Sequence, residues 1–265
     1  MQKPLVSIIT ITFNSERFLQ QTIRSVLEQD YPRIEYIIVD GGSTDGTLKI
    51  IEKYRDRIAK VVSEPDEGIS DAMNKGIRMA SGEIIGIIHS DDYYADSTVI
   101  SRVVEAFQGS EDIKVLYGIQ DFIDPQTGRV LLVWGRQEEP STIKRRMYLP
   151  HPTVFCRKEV YDKVGLFRKD YRYAMDYEWA LRVVKFTRPY FLNYKLACMR
   201  DMGHSGKHYK GSLAETTRAL WEHGHYWAWL QMKLRNAVKI LLTELGLKRL
   251  IFWLWQRNVG PAKHL

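Results

Sequence analysis

Cysteine is scarce in this chain: Cys156 and Cys198 are the only two among 265 residues. Neither has metal-ligand spacing, and a reducing, cytoplasmic setting is the expectation. Long apolar runs are missing as well, since none approaches the roughly 18–20 residues of a membrane span. Met1-Gln2-Lys3-Pro4-Leu5 leads straight into a strand, so no signal peptide is visible. The one Gly-rich turn, Gly41-Gly42-Ser43-Thr44-Asp45-Gly46, is not a GxGxxG and lacks the lysine of a P-loop. An excess of one charge sign is absent from residues 1–205, where 29 Lys+Arg balance 29 Asp+Glu.

The remaining sixty residues differ, with 10 basic against 3 acidic, so they carry the whole net charge of +7. Five of the seven tryptophans (Trp221, Trp227, Trp229, Trp253, Trp255) lie there too. A neutral body with a basic, aromatic tail points to an anionic surface. No nucleic-acid reading motif accompanies the tail, so nucleic acid is not expected as a partner.

What is present begins with buried strands. Leu5 to Thr12 is a β-branched run, Ile34 to Val39 is a second ending at Asp40, and Ile58 to Val62 is a third. Helices are expected from Arg17 to Gln29 and Thr47 to Tyr54, between those strands. Serial strand–helix units imply an α/β fold with a doubly wound parallel sheet. A helix from Ile69 to Ala80 buries Ile69, Ala72, Met73, Gly76, Ile77 and Ala80, and leaves Asp71, Lys75 and Arg78 on one polar side. That side reads either as a solvated ion-pair face or as a place where Lys75 or Arg78 meets phosphate.

The organising stretch is Glu83-Ile84-Ile85-Gly86-Ile87-Ile88-His89-Ser90-Asp91-Asp92: a strand buried on both faces that ends in two adjacent carboxylates. Ligands of open α/β sheets bind beyond the carboxyl ends of strands. Two hard oxygen donors there suit a divalent cation held partly by substrate phosphates. Capping of the next helix is the plainer alternative.

After a helix from Ser97 to Phe107 the pattern changes. Val115–Ile119 and Val130–Trp134 flank a turn cluster and read as antiparallel, giving a mixed second half. His151-Pro152-Thr153-Val154-Phe155 reads as extended, Lys158–Val164 as helix, Asp176–Lys185 as helix, and Ala197–Met202 as the last core strand. Asp176 falls at a helix N-terminus, where an N-cap is the ordinary role. The donor-rich Gly203–His208 loop could order over a pyrophosphate. Beyond residue 210 the chain reads as helical, with Trp227, Leu230, Leu234, Val238, Leu241 and Leu245 on one stripe and Lys233, Asn236, Lys239 and Thr243 opposite. Lys248-Arg249 then precede Leu250-Ile251-Phe252-Trp253-Leu254-Trp255. An interfacial membrane helix and a helix packed on the core or a second subunit fit this pattern equally.

Five stretches occur in order: Val6–Glu16, Ile38–Thr47, Glu67–Gly76, Ser81-Gly82-Glu83 and Ser90-Asp91-Asp92. Together they resemble the family 2 glycosyltransferases of the GT-A fold, especially bacterial enzymes that build exopolysaccharide and O-antigen units. The likeness covers about residues 4–205. It implies a GT-A doubly wound mixed sheet with C-terminal amphipathic helices. Residues 1–95 would form the nucleotide-sugar half, 96–205 the acceptor half with the base, and 206–265 the basic tail. Ile11, Thr12 and Phe13 would hold the nucleoside with Phe13 under the base; Glu16 and Asp40 would lie near base and ribose. Asp71, Lys75 and Asp91 join that donor set. Asp91-Asp92 is similar to the metal-binding DXD element, with Asp92 the direct ligand of Mn2+ or Mg2+, and His204 a further ligand from the loop. Asp176 resembles the catalytic base, with His151 and Glu178 on the acceptor side; in a helix Glu178 would point away from Asp176. Many relatives carry a second Asp where this chain has Gly41, which leaves uracil specificity open.

The chemistry implied is an inverting, metal-dependent transfer from a nucleotide-diphospho-sugar to a saccharide or polyprenyl-diphosphate-linked acceptor. It would run at the inner face of the cytoplasmic membrane, with peripheral contact through the tail or with a homodimer as the tail's partner. A sugar nucleotidyltransferase would need a Gly-rich, basic loop after the first strand, and Phe13-Asn14-Ser15-Glu16 is not one. A non-catalytic nucleotide-sugar-binding or scaffold subunit is the remaining alternative.

Overall fold

The computed structural model describes residues 3–200 and 208–244. In chain order the elements are β1 Val6–Thr12, α1 Leu19–Leu27, β2 Ile34–Asp40, α2 Thr47–Glu52, β3 Lys60–Ser63, α3 Ile69–Met79, β4 Ile84–His89, β5 Tyr93–Tyr94, α4 Val99–Gly109, β6 Val115–Ile123 and β7 Val130–Trp134. Then come β8 Phe155–Arg157, α5 Lys158–Val164, α6 Met175–Phe186, β9 Tyr190–Arg200, α7 Tyr209–Glu222 and α8 Tyr226–Glu244.

The nine strands form one sheet in the order β3-β2-β1-β4-β8-β6-β9-β5, with β7 beside β6. The first four are parallel. β8 then runs antiparallel to both β4 and β6, β6 and β9 are parallel, and β5 is antiparallel to β9. The mixed second half is therefore as expected. Alternate side chains of the central strands feed two apolar layers. Ile9, Ile37, Val39, Ile85 and Ile87 pack with α3, α5 and α6. Ile8, Tyr36, Ile38, Ile84 and Ile88 pack with α1 and α4. Each fully buried Ile contributes about 2–3 kcal/mol relative to exposure. α3 lies close on β1: a Cβ at Gly76 would come within 2.4 Å of Ile9 Cγ2.

Four departures from the sequence expectation bear on the site. First, residues 93–94 form a two-residue strand after Asp91-Asp92, and α4 starts only at Val99. The acidic pair thus sits in a strand-to-strand turn and caps no helix; Asp96 accepts the Thr98 N–H instead, at 2.8 Å. Second, His151–Thr153 is a 3-10 turn rather than an extended segment, with β8 beginning at Phe155. Third, the last core strand is the eleven-residue β9, starting at Tyr190 rather than Ala197. Its first half is partly exposed, so polar Asn193 and Lys195 break the apolar signal.

Fourth, of the two readings open for α8, the apolar stripe is not the face that packs on the core, and the polar side that the sequence set opposite it supplies an inward residue. Met232 and Asn236 face inward, and the Asn236 amide donates to Thr217 Oγ1 on α7 at 3.2 Å. Trp227, Leu230, Leu234, Val238 and Leu241 are 40–71% exposed. α7 itself is integral to the core, with Ala219 and Leu220 fully buried against the layer that holds α6. Leu245 and the Lys248–Trp255 segment lie outside the described residues. No helix among the described residues is long and apolar enough to cross a membrane.

At the end of the sheet away from the Asp pair, Glu35 ties four segments together. Its carboxylate accepts from Ser7 Oγ at 2.5 Å, from the Ser81 N–H at 2.8 Å and from the Ser81 hydroxyl, and pairs with Lys60 at 2.6 Å. Burial alone would raise this carboxyl; the Lys60, Ser7 and Ser81 bonds outweigh it and hold the group down at about 2. A depressed carboxyl stabilises the fold above its unfolded value and ceases to do so as pH falls towards its folded value. Glu35→Gln is therefore expected to cost about 2–3 kcal/mol at pH 7, measured by denaturant unfolding. The difference from wild type should shrink as pH falls from 4.5 towards 2.

Candidate active site

The carboxyl ends of β1, β2 and β4 converge on one rim. Ile11 and Thr12 are buried at the end of β1, whereas Phe13 is 60% exposed just beyond it, an aromatic face open to a ligand. Asn14 takes a left-handed φ of 46°. Its side chain accepts the Thr44 N–H at 2.9 Å while its own N–H donates to Ser43 Oγ at 2.8 Å. Ser15 N–H donates to Thr47 Oγ1 at 2.8 Å, and Glu16 accepts the Gly46 N–H at 2.7 Å. Asp40 is fully buried, and its carboxylate accepts from the Gly42 and Ser43 amides and from the Ser43 and Ser63 hydroxyls. Asp40 and Glu16 thus shape the loops that flank Phe13, with Asp40's oxygens spent inside the protein. At Gly41 a Cβ would lie 2.5 Å from Asp66 Oδ2 and 3.5 Å from the Phe13 ring. The Asp66 carboxylate fills the space that a side chain at 41 would need.

On α3, Asp71 and Lys75 form the helical ion pair that was one of two readings. Lys75 Nζ lies 2.9 Å from Glu64, 3.5 Å from Asp71 and 3.1 Å from the Pro65 carbonyl. Asp71 also meets the Glu67 N–H at 3.3 Å and Lys169 at 3.4 Å. Burial opposes ionisation of Asp71, but the Glu67 amide, Lys169 and Lys75 bring it below the usual carboxylate range. Both side chains are engaged with protein partners at the rim.

The turn after β4 carries the densest chemistry. A His89 nitrogen and a carboxylate oxygen from each of Asp91 and Asp92 lie within 4.8 Å of one another. Asp92 is 2% exposed and its Oδ1 has no hydrogen-bond partner among the described residues; His89 Nε2 is likewise buried without one. Burial, and then the neighbouring Asp91 charge, push the Asp92 carboxyl well above its ordinary value. Burial lowers the His89 imidazole below its ordinary value, against the pull of the Asp91 charge. Buried oxygen and nitrogen atoms without a partner, drawn together at one turn, suit a divalent ion. His89, two residues before the acidic pair on the same alternation as Ile85 and Ile87, escaped the sequence reading, although that period marks it. The turn is held by Thr22 Oγ1 on the Ser90 and Asp92 carbonyls and by the Arg200 guanidinium on the Asp91 carbonyl. Arg200 lies between the Phe18 and Tyr93 rings at 4.3 and 5.0 Å. His204 lies outside the described residues.

A run of rings leads from this turn towards α6. His89 and His151 are 5.0 Å apart, His151 and Phe167 6.1 Å, and Phe167 and Trp179 5.3 Å. Burial, with the His89 ring next to it, lowers His151 to about 3, so it is a neutral packing ring. Asp176 stands in the first turn of α6, but the N-cap is Ala174, so the N-cap role is not the one it takes. Its Oδ1 accepts the Tyr177 N–H at 2.8 Å, and burial outweighs that bond to raise the carboxyl to about 6. Glu178 does point away: it is buried, paired with Arg182 at 2.7 Å and with His223 at 3.0 Å. That pairing makes it a strut between α6 and α7.

Residues 7–165 match the family model described as glycosyl transferase family 2. This chain belongs to that family. It is 34% identical over 210 residues to an uncharacterized glycosyltransferase of Mycobacterium tuberculosis, covering 77% of this chain and 78% of the relative. A Bacillus subtilis glycosyltransferase named for teichuronic acid biosynthesis is 42% identical over 93 residues, 34% of this chain and 37% of that one. Among solved structures, S. aureus TarS 1–349 with UDP-GlcNAc superposes with a TM-score of 0.65 at 20% identity, over 82% of this chain and 66% of TarS 1–349. The mannosyltransferase PcManGT of Pyrobaculum calidifontis, with GDP-Man and Mn2+, gives 0.61 at 19% identity over 93% of this chain and 81% of its own. The fold is GT-A, and the protein is a glycosyltransferase.

An ionised Asp176 is held at a raised value, so wild type loses stability as pH rises from the unfolded carboxylate value through about 6. Asp176→Asn removes that penalty. Thermal melts should show the variant more stable than wild type at pH 7–8 by about 1–2 kcal/mol, with the gap closing below pH 4.

Proposed function

We propose that this glycosyltransferase moves a sugar, with inversion, from a nucleotide-diphospho-sugar to a hydroxyl of a polyprenyl-diphosphate-linked saccharide during surface polysaccharide synthesis. The observation that carries the proposal is the pair of unpartnered buried acceptors, Asp92 Oδ1 and His89 Nε2, beside Asp91 at the rim. The relatives support it: one is named for teichuronic acid biosynthesis, and two structural neighbours are complexes with UDP-GlcNAc and with GDP-Man and Mn2+.

Phe13 stacks the base, and Asp92, Asp91 and His89 would hold Mn2+ or Mg2+. When bound, that cation offsets the charge that builds on the departing diphosphate. Asp176 accepts the proton of the attacking acceptor hydroxyl. The new bond from that oxygen to the anomeric carbon forms as the bond to the diphosphate oxygen breaks, and the electron pair leaves with the diphosphate. Attack from the face opposite the leaving group inverts the centre. A carboxyl raised to about 6 is basic enough for this role and ionised at neutral pH. A nucleotidyltransferase lacks support, since Phe13–Glu16 is a short loop laced to residues 43–47, with no basic glycine loop.

The exposed α8 stripe and the 10-to-3 basic excess beyond residue 205 support peripheral contact with an anionic lipid surface. Leu234→Glu with Val238→Glu should abolish co-sedimentation with phosphatidylglycerol vesicles and leave the melting temperature unchanged. Concentration-dependent dimerisation of wild type that the double variant loses, with vesicle binding absent, would assign the stripe to a second copy instead.

The functional test is turnover of a nucleotide-sugar panel with Mn2+ and a polyprenyl-diphosphate saccharide, the anomeric outcome being read by NMR. Asp176→Asn and Asp92→Asn should each lower kcat by at least about a hundredfold. Wild-type kcat should rise with pH through about 6. Turnover that is metal-independent, or retained by Asp176→Asn, would contradict the mechanism.

A further inference from the structure

α6 has no local cap. Ala174, its N-cap residue, makes no side-chain cap bond, although the amides leading into the helix need acceptors. The acceptor comes from α7. The Glu215 carboxylate takes the N–H of Arg172 at 2.9 and 3.1 Å, of Tyr173 at 2.7 Å and of Ala174 at 2.9 Å. Three successive amides converge on one anion at a helix N-terminus, where the backbone dipole favours negative charge.

The surrounding contacts show how firmly α7 holds this approach. Arg218 and Glu222, on the Glu215 side of α7, bind Asp170 and Arg168, and the Tyr171 hydroxyl donates to Glu222 at 2.9 Å. The Arg168 and Arg218 guanidinium groups sit 4.9 and 4.6 Å from the Tyr171 ring, and His208 stacks on Tyr173 at 5.2 Å. Asp176 stands two residues after the last captured amide.

We propose that Glu215 is a positioning residue of this enzyme: it caps α6 in trans and so fixes the first turn that presents Asp176 to the acceptor. The proposal rests on Asp176 being the base. It makes α7 part of the catalytic apparatus rather than part of a detachable tail, because the helix that leads into the exposed α8 stripe also sets the base. Loss of the cap frays the first turn and lets water reach Asp176, whose raised basicity comes from burial. The charged groups about that turn are Arg172 and Glu215 on the approach, Glu178, bound to Arg182 and His223, and Arg235 of α8, whose charge reaches Tyr177. Easing that burial carries the base towards the ordinary carboxylate range.

The test uses the full chain as Glu215→Ala, Glu215→Gln and, for comparison, Glu222→Gln, each confirmed folded by near-UV circular dichroism. In Glu215→Ala, kcat should fall roughly tenfold or more with the nucleotide-sugar KM within about twofold. The acid limb of the kcat profile should move down by about one pH unit, and the amides of residues 172–177 should exchange faster. Glu215→Gln, which keeps one acceptor oxygen, should fall between. Glu222→Gln should lose stability and leave the acid limb in place. An unmoved acid limb in Glu215→Ala, or an equal shift in Glu222→Gln, overturns the proposal. Activity retained by Asp176→Asn, with faster exchange in Glu215→Ala, would instead overturn the assignment of the base while leaving the trans cap standing.

Discussion

A buried carboxylate oxygen without a donor is costly, and the fold forces one on Asp92 next to a second carboxylate and an unpartnered imidazole. Within the described protein, Oδ1 has no hydrogen-bond donor to relieve it. A proton or a cation can, and only a cation draws all three groups to one point. The rest of the architecture serves that cluster. Three parallel strands buried on both faces, β1, β2 and β4, set its depth, and the side chains of Thr22 and Arg200 hold the backbone of the turn, Arg200 bonding Gln21 as well. Asp92 Oδ1 and His89 Nε2 stay without a partner among the described residues.

Opposite ends of the sheet are treated differently. At the Glu35 end every oxygen of a buried carboxylate is satisfied by hydroxyls, an amide and a lysine, and the group is firmly ionised. At the Asp92 end one carboxylate oxygen, Oδ1, has no such partner among the described residues. The first arrangement stabilises the fold; the second keeps a site in a state that binding relieves. Asp176 belongs to the second kind, raised by burial and touched by one neighbouring amide. The approach to α6 is held from α7 by Glu215, and α7 and part of α8 are packed into the core.

Much of this was legible in the residues. The isoleucine runs of β1, β2 and β4 read directly as central strands, because burial on both faces leaves no room for polar alternation. Asp91-Asp92 and Asp176 stood out as acids at element ends. Other features depend on partners distant in sequence. β5 is two residues long and exists because β9 pairs with it. The 3-10 turn at His151 and the early start of β9 are likewise set by neighbours. Whether the α8 stripe faces in or out was open in the sequence, and the inward bond of Asn236 to Thr217 is not something one helix alone can reveal. Asp40 looked like a ligand-facing acid for the same reason that Asp92 did, and only the four donors around it tell them apart. Glu178 and His151 carry site-like chemistry in sequence and packing roles in space.

The central claim is that the cluster after β4 grips a cation bound to the donor's phosphates. Crystals grown with Mn2+ and a nucleoside diphosphate, with anomalous data collected at the manganese edge, address it most directly. The expected result is one anomalous peak within coordinating distance of Asp92 Oδ1 and of a diphosphate oxygen, with the base on Phe13. A diphosphate seated on the rim with no manganese at Asp92, or manganese bound elsewhere, would contradict it.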